Sequence, residues 1–262
     1  MISYGWLFFN RLLFYQLQPM FFTNRLDLSL NLLFLTDIQH VMVKSYGIRL
    51  LVDMVYLALP LFMVFFINSR KLSVIAILHC IFNFVYALLL SSFTPLSIAG
   101  FAGWILLPLV FIPRSDKGFY FSMNSMRYIF ILFFFSAGLW KIRTGGLFNT
   151  EQMSAILLKQ HAAYLVHAPG DWFTKCINYL VIHKALSYSL YLMTAMGELI
   201  FVIGLFTKRF DRLLIVIFLL FVLFDLILMR INYFSWVAFL GCLWFSHFKE
   251  PGTEKAGTDI TV

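Results

Sequence analysis

Asp53, His79, Arg127, Lys141, Glu198 and Asp225 each lie inside, or at the end of, an otherwise apolar stretch. An ionisable side chain in such a stretch costs about 2.5–3.5 kcal/mol on membrane-insertion scales, so each needs a partner, a cavity or a task. Counting along helices at about 1.5 Å per residue sorts these groups by depth. Arg127 falls about 10–12 Å inward from one end of its stretch, and Glu198 falls at a similar depth on the next, antiparallel one. His79 is at comparable depth on an earlier stretch. Arg127 and Glu198 are therefore expected to form a buried ion pair, with His79 in the same set. The plainer role for such a pair is to lock two helices together, and a proton path through His79 is the alternative.

Asp53, Lys141, Asp225 and Arg230 form a second set, toward the opposite ends of the stretches. Lys141 closes the run Ile129–Lys141. A terminal lysine ordinarily snorkels to the headgroups. Here Ser136, Ala137 and Gly138 come just before it, and small residues let a neighbouring helix approach closely. A lysine drawn into protein instead of lipid can serve as a base. Lys141 is the candidate base, and Asp53, Asp225, Arg230 and Trp140 are the candidate ligand contacts. His161, His167 and His183 do not share one helical face, so no metal site is expected. Cys80, Cys176 and Cys242 show no CxxC or Cys/His ligand spacing, and no disulfide framework is expected. GxSxG, P-loop, GxGxxG and HExxH patterns are absent, so soluble-type nucleotide chemistry is not expected.

The elements that must position these residues are long and greasy. Hydrophobic residues make up 61% of the chain and charged residues 12%. A soluble domain usually has about 25% charged residues, so this chain could not cover itself in water. Expected spans are Leu50–Asn68, Ser73–Ser92, Leu96–Ile112, Phe119–Trp140, Ala185–Phe206, Leu213–Met229 and the shorter Tyr233–His247, with Tyr4–Phe22 as an imperfect one. Each approaches the roughly 20 apolar residues that cross a bilayer as a helix. The expected fold is an all-α polytopic membrane protein of about six to eight spans. Three parts are expected: residues 1–49, an apolar or interfacial segment; 50–247, the transmembrane domain; and 248–262, a disordered cytoplasmic tail. The N-terminus lacks a charged leader region and a small-residue cleavage site, so no cleaved signal is expected.

Alternate hinges are basic: Ser69–Lys71, then Arg114 and Lys117, then Lys208, Arg209 and Arg212, with Lys249 and Lys255 in the tail. The positive-inside rule puts these hinges and the C-terminus in the cytoplasm. Segment 141–184 then falls outside, as short amphipathic helices over Met153–Leu158 and Trp172–Ile182 around a Pro169-Gly170 turn. A long ordered connection of this kind usually carries function. It is a candidate docking surface for an extracytoplasmic protein. The net charge of +8 is explained by span ends and anionic headgroups. No basic face with stacking aromatics stands apart from the spans, so nucleic-acid binding is not expected.

Phe134-Phe135-Ser136-Ala137-Gly138-Leu139-Trp140-Lys141-Ile142-Arg143 resembles an aromatic-x-x-Ala-Gly-x-x-Lys-Leu stretch. That stretch belongs to the membrane domain of vitamin K-dependent gamma-carboxylase and its bacterial relatives, the HTTM proteins. Gly197-Glu198, Gly204-Leu205-Phe206-Thr207-Lys208-Arg209 and Asn232-Tyr233-Phe234-Ser235 are similar to later motifs of the same family. The shared order covers roughly residues 50–247. The resemblance implies a helical membrane domain that binds a quinone-like isoprenoid, in a bacterial inner membrane. It also implies that Lys141 is the base tied to hydroquinone oxygenation. The sequence departs from the family in two ways. It has no counterpart of the family's large soluble domain, and its penultimate helix has Asp225 in place of a histidine. Carboxylation of a protein is therefore not expected, and a lipid- or quinone-binding relative fits better. Gly138-Leu139-x-Lys141, Glu198 and the Gly-Leu-x-x-Lys-Arg run also resemble the DoxX/MauE-type four-helix proteins over residues 121–247. That resemblance implies a non-enzymatic subunit or scaffold.

Overall fold

The computed structural model describes residues 2–18, 20, 35–94, 101–231 and 233–245. Among these, helices and turns make up the whole fold and no strand occurs. Five helices are long and apolar enough to cross a membrane: Tyr46–Phe65, Leu72–Phe93, Asp116–Arg143, Lys184–Phe206 and Asp211–Met229. The shortest has 19 residues, a rise of about 28 Å against a hydrocarbon core of about 30 Å. Their outward faces are greasy: Phe65 is 81% exposed, Phe121 74% and Leu220 61%. Water would penalise such faces, whereas lipid solvates them. The chain is an all-α polytopic membrane protein.

The chain divides into two compact units, Met1–Ser122 with Tyr233–Phe239, and Met123–Asn232 with Leu240–Val262. The first unit contains α1 (Ile2–Phe9), α2 (Ile38–Lys44), α3 (Tyr46–Phe65), α4 (Leu72–Phe93) and α5 (Ala102–Leu106), which tightens into a 3-10 turn over Leu107–Phe111. Tyr4–Phe22 is not a continuous span. Asn10 Nδ2 donates back to the carbonyl of Trp6, Arg11 takes a left-handed φ of 56°, and the helix stops at eight residues. The following turn is held by Asp53. Its Oδ1 accepts from the Phe14 backbone N–H at 3.3 Å and from the Tyr86 hydroxyl at 2.7 Å, and its Oδ2 accepts from the Tyr15 N–H at 2.9 Å. The expected boundary at residue 50 therefore falls inside one packed unit. Helix α3 begins earlier than Leu50, because Ser45 caps it by accepting from the Ile48 N–H. Tyr56 and Tyr86 stack at 4.2 Å, and the Phe14 ring meets Tyr86 edge-on.

The span expected over Leu96–Ile112 is, where described, the ten-residue helix Ala102–Phe111. Pro108 interrupts the α-helical ladder there, since proline has no N–H to give. This short helix packs on α4: Ser73 Oγ donates to the Ile112 carbonyl, and Asn83 Nδ2 donates to the Trp104 carbonyl. It also packs on the 3-10 turn Phe234–Phe239. Residues 21–34, 95–100 and the expected tail 248–262 lie outside the described residues.

In the second unit most of α6 (Asp116–Arg143) is followed by α7 (Gln152–His167) and α8 (Trp172–Ile182). Then come α9 (Lys184–Ile200), α10 (Ile203–Phe206), α11 (Asp211–Phe224) with a π-helical turn over Asp225–Met229, and α12 (Leu240–Phe245). Helices α7 and α8 form the amphipathic hairpin expected within 141–184, and α7 is longer than expected. The span expected over Tyr233–His247 is the ten-residue helix Trp236–Phe245. A Phe cluster ties α6 to its neighbours: Phe134 stacks on Phe201 at 5.0 Å, and Phe130 meets Phe218 edge-on at 5.1 Å. Such ring pairs add about 0.5–1.5 kcal/mol beyond burial.

Candidate functional site

Helix α6 presents two cations to its neighbours, and they take different partners. Arg127 is fully buried. Its Nε donates to Asp211 Oδ2 at 2.7 Å, and its Nη2 donates to Asp211 Oδ1 at 2.6 Å. The same Nη2 reaches the carbonyls of Gly204 at 2.8 Å and Thr207 at 3.1 Å. Arg127 thus clamps the turn between α10 and α11. Gly204 packs closely beside the clamp: a Cβ there would sit 2.7 Å from Ile131 Cδ1 and 2.8 Å from Leu214 Cδ1, and these side-chain ends would have to move. The expected Arg127–Glu198 pair is not formed. Asp211 is the one acid in a hinge read as basic from Lys208, Arg209 and Arg212. That lone charge of opposite sign was the available signal.

Glu198 pairs with Lys141 instead. Lys141 Nζ lies 2.8 Å from both carboxylate oxygens. Only the Oε1 contact has hydrogen-bond geometry, so Oε2 is buried without a hydrogen-bond partner among the described residues. Depth counted from span ends assumed flush helices, but α9 overruns the end of α6. The last turn of α6 therefore meets the last turn of α9, at Glu198 and Leu199. Gly138 allows the approach, since a Cβ there would lie 3.2 Å from the Leu199 backbone nitrogen and 2.9 Å from its side chain. Lys141 and Arg127 are separated by about 21 Å along α6, so one glutamate could not serve both. The Lys141 ammonium also lies 5.5 Å from the Tyr191 ring centroid.

The other expected contacts are distributed differently. Asp225 is buried at the start of the π-helical turn and within electrostatic reach of both Lys141 and Glu198. Such turns are frequent at functional sites. Arg230, in a left-handed conformation, lies over the Tyr164 and Phe173 rings at 4.2 and 3.9 Å. It serves to hold the α7–α8 hairpin. Trp140 is exposed and carries Arg143 over its ring. Asp53 belongs to the first unit, where it binds the backbone of Phe14 and Tyr15. His79 is not part of an Arg127–Glu198 set: it lies in the first unit, with Nδ1 3.0 Å from Met63 Sδ. Among the described residues, no three His, Cys, Asp or Glu side chains converge as a metal site would need.

The hairpin has its own polar latch. His161 Nε2 contacts the Leu228 carbonyl at 2.9 Å, and the Tyr164 hydroxyl donates to Asp171. That hydroxyl holds the Asp171 carboxyl below its ordinary range, against a weaker upward push from desolvation. The Trp172 and Phe173 N–H groups and Arg230 act in the same downward direction as the hydroxyl. A carboxylate whose value is depressed in the folded state contributes stability above its unfolded value and loses it as pH falls through the folded one. The hairpin is therefore expected to loosen on acidification below about pH 4. The indole NMR signal of Trp172 should report the step, and Tyr164→Phe should move it upward. A Trp172 signal that titrates identically in both proteins would show that the latch does not set this behaviour.

Between α9 and α11 lies an apolar cavity of about 750 Å³, within the range that holds elongated organic ligands. Phe134, Met193, Phe201, Leu220, Phe224 and Ile227 wall it, and Glu198 and Thr194 are its polar lining. None of Asp53, Lys141, Asp225, Arg230 or Trp140 lines it. Glu198 is the ionisable residue of this lining, and Lys141 pairs with its carboxylate. No family model, curated protein or solved structure matches this chain.

Proposed function

We propose that the second unit binds a long apolar molecule with a hydrogen-bond-donating head, of the quinol or isoprenoid-lipid class, between α9 and α11. The observation that carries this reading is Glu198 itself: a buried carboxylate paired with Lys141 at 2.8 Å, whose Oε2 has no aligned hydrogen-bond donor, in the lining of a cavity that is otherwise hydrocarbon and aromatic rings apart from Thr194. A ring hydroxyl meeting Oε2 would satisfy it. The isoprenoid tail would run along the greasy wall and leave toward the surrounding lipid. Lys141 positions Glu198, and Asp225 adds a second buried acid close to the pair. This reading agrees with the HTTM-like motif around Lys141. With it go a bacterial inner membrane and a cytoplasmic C-terminus, as the basic hinges argue.

Native mass spectrometry of the purified chain, loaded with an isoprenoid quinol from mixed-lipid nanodiscs, tests the reading. A bound quinol is expected. Glu198→Leu should weaken it about tenfold or more, as loss of a hydrogen bond to a charged group requires. Trp140→Ala should leave it unchanged. Leu220→Trp, at an exposed wall position, should fill the cavity and remove the ligand. Full quinol occupancy in Leu220→Trp would overturn the proposal.

A second reading draws on the hairpin. Val166 is 77% exposed, Trp172 69% and Ile182 74%, which suits a subunit that docks a partner outside the membrane through residues 141–184. Co-purification of a stoichiometric protein that is lost with Trp172→Ala and kept with Glu198→Leu would favour this reading over the first.

A further inference from the structure

The first unit contains a separate cavity, of about 240 Å³, and its chemistry differs from that of the larger one. Tyr4, Tyr56, Trp104 and Pro108 form apolar and aromatic walls, and α4 contributes His79 and Asn83. These two are four residues apart, so they share one helical face. Asn83 is 5% exposed. Its Nδ2 donates to the Trp104 carbonyl at 2.8 Å; of the two ends of the amide only the NH2 can donate, so the amide's orientation is set. Oδ1 is then left buried with no hydrogen-bond partner. The His79 ring comes near Asn83 without reaching hydrogen-bond geometry.

His79 adds to the asymmetry. Its Nδ1 lies 3.0 Å from Met63 Sδ. A thioether only accepts, so in the tautomer that donates Nδ1–H to Met63 the His79 Nε2 keeps a lone pair. In that tautomer the two polar groups that α4 gives to this cavity both ask for a donor. An apolar cavity of about 150 Å³ holds benzene, so this volume fits one ring with a substituent and excludes an isoprenoid tail. A water could satisfy Oδ1 but would leave the aromatic walls uncovered.

We propose that this cavity binds a small hydroxylated aromatic molecule of the phenol class. Its O–H donates to Asn83 Oδ1 and its ring lies between Tyr56 and Trp104. His79 Nε2 accepts from a second hydroxyl where the ring carries one. The site is independent of the lipid cavity between α9 and α11, and neither proposal rests on the other.

The test uses the full chain in nanodiscs, with phenol and its methyl-capped counterpart anisole as probes, followed by saturation-transfer NMR against empty nanodiscs. Phenol is expected to bind about tenfold or more tightly than anisole, because a site built around a polar acceptor rejects a ligand that lacks the donor. Asn83→Leu should erase the preference. Val64→Trp, at a cavity wall position that is itself 68% exposed, should abolish binding of both, and it decides the matter if Asn83→Leu does not fold. Equal binding of phenol and anisole would overturn the proposal. So would an undiminished preference in Asn83→Leu, undiminished binding in Val64→Trp, or phenol binding no greater than in empty nanodiscs, which would leave only a water at Oδ1.

Discussion

Arg127→Ala and Asp211→Ala are each expected to destabilise the protein by about 3–5 kcal/mol. Both side chains are fully buried in the second unit, so removing one leaves the other as an uncompensated charge. Truncating the arginine also strips a donor from the Gly204 and Thr207 carbonyls. These are exposed by the turn where α10 ends, and nothing lipid-like can replace that donor. Arg127→Lys should fall between, because an ammonium cannot reproduce the two-pronged contact with Asp211. The double change Arg127→Met with Asp211→Leu should cost clearly less than the sum of the two alanine variants, since no lone charge remains. Thermal unfolding in one detergent, read alongside the yield of monodisperse protein, measures the series. Single variants with unchanged midpoints would mean that the pair is solvated and holds nothing together.

Asp53→Ala is the second large effect, expected at about 3 kcal/mol from lost charge-assisted hydrogen bonds. Its carboxylate ties two backbone N–H groups of the turn after α1, and the Tyr86 hydroxyl, to the middle of α3. The buried Phe14 N–H would lose its acceptor. The loss should be local first. The segment around Arg11, an exposed residue with a positive φ, should become a ready trypsin site while the second unit stays protected. Asp53→Asn keeps one acceptor and should lose about half as much, and Tyr86→Phe about 1 kcal/mol. Limited proteolysis followed by intact-mass analysis distinguishes these outcomes. If Asp53→Ala resists trypsin at Arg11 as the parent does, Asp53 is not the tether and the stacked Tyr56–Tyr86 rings carry the docking alone.

The fold class was readable because it depends on composition and run length. Among the described residues five helices are long and apolar enough to span, and lipid is the one solvent that suits them. Shorter runs misled, because hydropathy does not report where a helix breaks. Tyr4–Phe22 breaks after Phe9 through the Asn10 side chain and the left-handed Arg11, and the run from Leu96 meets Pro108. The amphipathic helix Trp172–Ile182 was legible to its ends. The Pro169-Gly170 turn marks its start.

The residues of the site were legible one at a time, as costly charges in apolar runs, but their pairing was not. Lys141 and Glu198 stood out from sequence alone, yet their contact depends on the stagger of α9 past α6. Asp211 was hidden among basic neighbours, and Asn83 passed as an ordinary helix polar group. Run length and residue type are properties of the chain read in order, so the sequence by itself determined that lipid surrounds these helices and that each buried charge must be answered. Which group answers which depends on helix stagger and rotation, set where Gly138 and Gly204 let neighbours close in. Only tertiary packing decided that Arg127 clamps Asp211, that Lys141 holds Glu198, and that Asn83 lines a cavity while its Oδ1 is left without a hydrogen-bond partner.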